Sequence, residues 1–144
     1  MKYSFLMPYA HRPALLAETF KSFVSMYSNR DDYEVILIEK HVNDIPLASI
    51  CETFPIPTKI FTCDIETVCP ARSYNIAGKN AQGSYYILTN PECRHDSDVL
   101  GGFDELFAQH ENSYIVCACK ALDEEGRYIQ WYQHSKYNNS LLNR

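Results

Sequence analysis

Three side chains that follow predicted strands have the chemistry to bind a charged ligand. Arg72 lies in the first turn of a predicted helix that opens at Pro70. Its guanidinium would add to the positive end of the helix dipole, a combination that suits a phosphate group. Asn90 and Glu92 offer an amide carbonyl and a carboxylate, oxygen ligands that a hard ion such as Mg²⁺ or Mn²⁺ accepts.

Each of these residues also has a plainer interpretation. Arg72 can pair with a neighbouring surface carboxylate, and Asn90-Pro91 is a turn signal that would leave Glu92 solvated. His95 is a further candidate metal ligand, although a loop histidine is more often unliganded. Cys93 and His95 together make at most half of a zinc site.

Apolar periodicity predicts the alternating strands and helices that would position these residues. Apolar runs predict strands at 3–7, 34–39, 59–62, 85–89 and 114–119. Between them, apolar residues at helical spacing predict helices that begin near Pro13, Asp44, Pro70 and Asp96. Asp44 is predicted to cap the second helix, and Gly83 to form a left-handed C-cap after the third.

This alternation predicts an α/β fold. We expect a three-layer α/β/α sandwich with a mainly parallel, Rossmann-like sheet and right-handed crossovers. Ligands bind such sheets at the carboxyl ends of the strands. The segments 8–12, 39–44, 63–72 and 90–98 should therefore form the site.

Length and composition favour one soluble domain over residues 1–144. The net charge of -5, without clustered Lys and Arg, disfavours a general nucleic-acid-binding role. No apolar run reaches the roughly 20 residues of a membrane span, and no signal peptide precedes the first strand, so a cytoplasmic location is expected. The six cysteines are expected to be reduced, with Cys117 and Cys119 buried on the fifth strand.

The stretch from Pro70 to Glu92 carries a pattern found elsewhere. It reads Pro-Ala-Arg-Ser-Tyr-Asn at 70–75, Ala-Gln-Gly-Ser-Tyr at 81–85, and Asn-Pro-Glu at 90–92. These segments resemble the Ala-Arg-x-x-Asn helix, the Ala-x-Gly-x-Tyr turn and the Asp-x-Asp motif of family-2 glycosyltransferases with the A-type fold. The resemblance extends to residues 5–9, Arg12 and the strand that ends at Glu39, about two-thirds of the chain in order.

The resemblance implies transfer of a sugar from a nucleotide-diphosphate sugar to a glycan or lipid-linked acceptor, with inversion and with help from Mn²⁺ or Mg²⁺. Arg72 and Glu92 would lie at the diphosphate, with Glu92 as metal ligand. Glu39 would accept hydrogen bonds from the base. The other implied substrate-binding residues are Pro8, Tyr9, Arg12, Asp64, Asn75 and Asn90, among which Tyr9 could stack on the base.

The sequence departs from the family pattern in two respects. Asn90 stands where the family has an aspartate, and family members commonly extend well beyond 144 residues. His134 is a candidate catalytic base, and Trp131 could stack on a sugar. A non-catalytic nucleotide-sugar-binding domain is the alternative, and a homo-oligomer would cover apolar surface near the carboxyl end. A nucleotidyltransferase would need a glycine-rich loop after the first strand, and residues 8–12 contain no glycine.

Overall fold

The computed structural model describes residues 1–39, 46–63, 70–110, 112–123, 125 and 127. The chain divides into two compact units, Met1–Val99 and Leu100–Arg144. The expectation of a single domain stays a prediction. Unit one contains all the strands of the described sheet.

The described sheet has four parallel strands in the order β3-β2-β1-β4. The elements follow the chain as β1 (Tyr3–Tyr9), α1 (Pro13–Tyr27), β2 (Tyr33–Glu39), α2 (Leu47–Cys51), β3 (Thr58–Thr62), α3 (Pro70–Asn80), β4 (Tyr85–Leu88) and α4 (Val99–Gln109). The order places the first strand beside the fourth, so the direction of winding reverses between β1 and β4. Such a reversal opens a crevice at the carboxyl ends of the two strands.

Aromatic side chains fill the layer between the sheet and α1. Phe5 on β1 lies 4.7 Å from Phe23 and 6.3 Å from Tyr27, measured between ring centroids. Phe20 meets Phe54, beyond α2, edge to face at 5.6 Å. Leu16, Phe20, Phe23 and Tyr27 are all buried, as the helical spacing predicted. This face of the sheet is held by ring packing.

The opposite face of the sheet packs against α3. Leu6, Ile36 and Ile38 form a cluster with Cys63 and with Ala77 of α3. The register explains this division, because Leu6 and Ile36 are partners in adjacent parallel strands and so point to the same face. With α1 on one side and α3 on the other, the predicted sandwich is confirmed.

A buried carboxylate joins the amino ends of the strands to the turn before β4. Glu34 is 2% exposed and accepts hydrogen bonds from the Ser4 hydroxyl at 2.7 Å and the Gln82 amide at 2.6 Å. Lys59 Nζ lies 2.8 Å from its other oxygen. Burial raises the pKa of Glu34, but these three partners outweigh burial and the net shift is downward. Glu34 is therefore ionised and structural.

Gly83 is needed for a different reason from the one the sequence suggested. Its φ lies outside the left-handed region, so it is not a left-handed C-cap. Its amide donates to the Ser4 hydroxyl at 2.8 Å, and a Cβ there would lie 2.7 Å from the Ser4 nitrogen. The turn thus lies directly against the β1 backbone, where only glycine fits.

Two predicted elements differ in the structure. Residues 114–119 form no strand within the described part of the chain, and Tyr114 and Val116 are 86% and 56% exposed. Their alternation favours a strand, but no strand in the described ranges pairs with them, so that preference is not realised there. Cys117 and Cys119 are consequently exposed instead of buried. The second helix begins at Leu47 with Pro46 as N-cap, and Asp44, which was predicted to cap it, lies outside the described residues.

Candidate functional site

The carboxyl edge of the sheet opens where β1 continues beyond its last residue paired with β4. The last paired residues of these two strands are Leu6 and Leu88, whereas β1 stays paired with β2 as far as Tyr9. The first strand was predicted to end at residue 7, but Pro8 lies inside β1, in the part that has only β2 as a neighbour. Since proline has no N–H to donate, it is tolerated where one side of a strand has no partner. Pro8 therefore lines the start of the crevice.

The loop that leaves β1 turns sharply into α1. His11 has a φ of 45°, in the left-handed region, which is uncommon for a residue other than glycine. Arg12 follows as the N-cap, and its carbonyl accepts the Leu16 amide at 3.0 Å. The first turn of α1 contains no acidic side chain, and no side chain caps it. A guanidinium is thus placed at the positive end of a helix, where an anion is favoured.

Arg12 meets Glu92 across the crevice. Arg12 Nη1 lies 2.5 Å from Glu92 Oε1, although the two residues are 80 positions apart in the chain. The side chains are 54% and 32% exposed, so the pair lies at the surface of the crevice. The structure thus joins two predicted site residues, Arg12 and Glu92, in one ion pair.

The loop that carries Asn90 and Glu92 is anchored from both faces of the sheet. The Thr19 hydroxyl, on α1, donates to the Pro91 carbonyl at 2.8 Å. The Tyr74 hydroxyl, on α3, donates to the Thr89 carbonyl at 3.3 Å. Neither anchor was predicted. Thr19 had a detectable signal, because it is a polar residue within the apolar stripe of α1 and is 1% exposed.

Removing the Thr19 anchor should destabilise the protein. Thr19→Val keeps the shape of the side chain but leaves the buried Pro91 carbonyl without its donor, which we expect to cost about 1.5 kcal/mol. Urea denaturation followed by circular dichroism measures the change in free energy of unfolding. Thr53→Val is the control, because the Thr53 hydroxyl makes an exposed bond within its own segment at 3.0 Å. Equal losses in the two variants would contradict the anchoring role.

Tyr9 and Glu39 end adjacent strands and are direct partners in the register. Tyr9 is 1% exposed, so its ring offers no face to a base, and the stacking prediction is corrected. Burial raises the pKa of Tyr9; the Arg12 backbone opposes this rise, and the charge of Glu39 adds to it. The Tyr9 hydroxyl meets no partner in hydrogen-bond geometry among the described residues.

Cys51 lies near the end of β2. Burial raises the pKa of its thiol to about 11, and the charges of Glu39 and Glu52 add to this effect, so the thiol is unreactive.

Arg72 and Asn75 are both exposed on α3. The Tyr74 bond to Thr89 places the first half of α3 beside the end of β4, so Arg72 lies at the same edge of the sheet as Arg12. Arg72 makes no ion pair with a residue in the described part of the chain. This exposed guanidinium is suited to bind an anion from solution.

His95 is not placed to bind a metal in this structure, which corrects the sequence-based suggestion. Its Nδ1 lies 2.5 Å from the Tyr27 hydroxyl, and its ring is 4.6 Å from that of Phe23. Its amide donates to the Ser22 hydroxyl at 3.0 Å. Burial lowers the pKa of His95 to about 4, against the opposing effect of Asp96. The residue is a neutral member of the aromatic layer.

The described side chains at this edge fit a divalent ion poorly. Within the described ranges, no three His, Cys, Asp or Glu side chains lie close enough together to hold a metal ion. Asn90 is exposed and uncharged, and the one carboxylate beside it, Glu92, is already paired with Arg12. Asp64 and His134, the other predicted donor-binding and catalytic residues, lie outside the described residues.

Comparison with known proteins identifies what the chain is similar to. The model for glycosyl transferase family 2 matches residues 4–144. The crystal structure of S. aureus TarS 1-349 matches with a TM-score of 0.68 and 16% identity, over 82% of this chain and 39% of the TarS 1-349 chain. The UDP complex of TarS 1-349 matches with a TM-score of 0.68 and 15% identity, over 88% of this chain and 43% of that one. The UDP-GlcNAc complex matches with a TM-score of 0.60 and 15% identity, over 82% of this chain and 37% of that one.

Identities this low establish the fold alone, and the chain spans about two-fifths of the TarS chain that it matches. No curated protein matches the chain in sequence. None of the helices in the described ranges has the length and apolar character needed to cross a lipid bilayer.

Proposed function

The chain belongs to glycosyl transferase family 2, and from this premise we propose that it binds a nucleoside-diphosphate sugar at the crevice between β1 and β4 and transfers the sugar to an acceptor. The observation that carries the proposal is the meeting of Arg12 and Glu92 where β1 and β4 separate. Arg72 on the same edge supplies a second cation. Inversion at the sugar carbon and a cytoplasmic location stay predictions.

The diphosphate is the part of the donor that this edge is best suited to bind. A diphosphate needs cations and oriented N–H groups to offset its charge in an otherwise acidic protein, whose net charge is -5. Arg12 and Arg72 occupy the amino ends of α1 and α3, where the helix dipoles also favour negative charge. Both side chains are exposed and can reach a ligand from solution.

The nucleoside is proposed to lie toward β2. Glu39 ends that strand half-buried, beside Tyr9, and a carboxylate in this position can accept hydrogen bonds from the N–H groups of a base. Uridine is the first nucleoside to test, because the structural neighbour TarS has been crystallised with UDP and UDP-GlcNAc. The acceptor, a glycan or a lipid-linked sugar, would have to give its proton to a base such as His134.

UDP should stabilise the protein, and the effect should depend on Arg72. We expect UDP to raise the thermal unfolding midpoint by mass action. Arg72→Gln should weaken UDP binding about tenfold, because it removes a charge-assisted hydrogen bond to phosphate. Binding is measured by titration calorimetry.

Lys79→Gln is the matched control for this experiment. It removes the same charge from the same helix, but in the last turn of α3. Failure of UDP and every other nucleoside diphosphate to bind the wild-type protein would contradict the proposed function. Equal weakening by both variants would show that net charge, and not the position of Arg72, controls affinity.

Binding without transfer is the second candidate function. It is favoured by the neutral Asn90 and by the engagement of Glu92 with Arg12, which leave no free carboxylate pair at the end of β4. Incubation with UDP-sugars separates the two functions. Release of UDP in the presence of a glycan or lipid-linked acceptor supports transfer, whereas tight binding with no release supports a binding domain.

A further inference from the structure

The charges at the end of β4 balance without a metal ion. An Asp-x-Asp motif brings two negative charges, which must be offset before a diphosphate can approach. Here Asn90 contributes no charge, and that of Glu92 is offset by Arg12 at 2.5 Å. With Arg72 added, the three charged side chains Arg12, Arg72 and Glu92 sum to one positive charge. A diphosphate can therefore approach without a divalent ion to offset protein carboxylates.

Arg12 also lies at the amino end of α1, where a negatively charged group is favoured. The first turn of α1 has no acidic residue and no side-chain cap, so the positive end of the helix and the guanidinium lie together. The anion that meets them, Glu92, comes from a loop that Thr19 and Tyr74 hold in place. Glu92 thus occupies the position of a negatively charged ligand.

On this basis, and resting on the proposed function, we propose that Arg12 performs the role of the divalent ion, exchanging Glu92 for the donor diphosphate. An exposed ion pair contributes little to stability, so breaking it is inexpensive in free energy. A guanidinium forms paired hydrogen bonds with phosphate oxygens, so the new contact is stronger than the one it replaces. Glu92 is then a competing anion and not a metal ligand.

Titration of the full chain with UDP tests this exchange. Wild-type protein should bind UDP equally well in EDTA and in Mn²⁺. In EDTA, Arg12→Gln should weaken binding about tenfold or more, the effect of losing a charged phosphate contact. Lys21→Gln is the control, because it removes an exposed cation that is paired with Glu18 farther along the same helix. Thermal unfolding of each variant verifies that it is folded.

Glu92→Gln gives the sharpest result, because the two mechanisms predict changes of opposite sign. If Glu92 competes with the ligand, the variant should bind UDP several times more tightly, since an opposing charge is removed. If Glu92 holds a metal ion, the variant should bind more weakly in Mn²⁺. UDP binding that requires Mn²⁺, or weaker binding by Glu92→Gln, would overturn the exchange while leaving the proposed function intact. Failure of UDP and of every other nucleoside diphosphate to bind in either buffer would overturn both.

Discussion

Gly83→Ala is expected to destabilise the protein by about 4 kcal/mol, a large part of the stability of a typical domain. The added Cβ would lie 2.6 Å from the Ser4 hydroxyl and 2.7 Å from both the Ser4 nitrogen and the Tyr3 carbonyl carbon. Two of these three atoms belong to the backbone of a central strand and cannot move aside. Displacing the turn would also break the Gly83 and Gln82 hydrogen bonds and leave Glu34 partly unsatisfied.

Gly78→Ala provides the matched comparison. A Cβ at Gly78 would lie 3.6 Å from Tyr86 and 4.0 Å from Leu6, which are ordinary packing distances. Since Gly78 lies inside α3, the added methyl group should stabilise the helix by about 0.5 to 1 kcal/mol. Urea denaturation of both variants gives the two free-energy changes. Finding Gly83→Ala as stable as wild type would show that the turn does not lie against β1 in solution.

The second large effect concerns His95 and pH. Its pKa falls from 6.5 to about 4 on folding, so the unfolded chain binds the proton more tightly. Stability must therefore rise with pH between these values and fall as the solution is acidified. Between pH 6.5 and about pH 5 the loss should be about 1.6 kcal/mol. Glu34 contributes to acid unfolding only below its ordinary pKa of 4.5, because folding lowers the pKa of this group.

His95→Phe isolates this contribution. Phenylalanine can occupy the aromatic layer beside Phe23 but cannot be protonated. The free energy of unfolding of the variant should therefore change little over the same pH interval. The measurement is urea denaturation at several pH values. His11→Asn is the control, because it removes an exposed histidine and suits a left-handed backbone. If the free energy of unfolding of His95→Phe falls with decreasing pH as steeply as that of the wild type, another group causes the acid sensitivity.

The sequence predicts the buried elements well, because burial leaves a local pattern. The β1 and β2 runs are continuous and apolar, as parallel strands covered on both faces must be. The α1 stripe at helical spacing likewise matches the face that packs on Phe5. The exposed stretch 114–119 shows the limit of this reasoning. Alternation is necessary for a half-buried strand, but a partner must also be present.

The site was only partly predictable. The motifs named both Arg12 and Glu92, which the structure brings together, yet their pairing joins loops 80 residues apart, which no local pattern encodes. Tyr9 was expected in the crevice because it follows an apolar run. The register instead extends β1 by two residues past Met7 and turns Tyr9 into the buried layer. The contact between His95 and Tyr27 was not predicted, because no pattern in the sequence around His95 indicates it.

The Ser4–Glu34–Gly83 contact sets an order on events during synthesis. Ser4 and Glu34 leave the ribosome early, but their hydrogen-bond donors, at Gly83 and Gln82, are made 79 and 48 residues later. Until then, closing β1 onto β2 would bury an ionised group that has the Ser4 hydroxyl and, once it is made, Lys59 as partners, but still lacks the Gln82 amide. The amino end of the nascent sheet should therefore reach its full stability only after the segment leading into β4 has emerged. A single late turn thus completes a buried network that the first two strands begin.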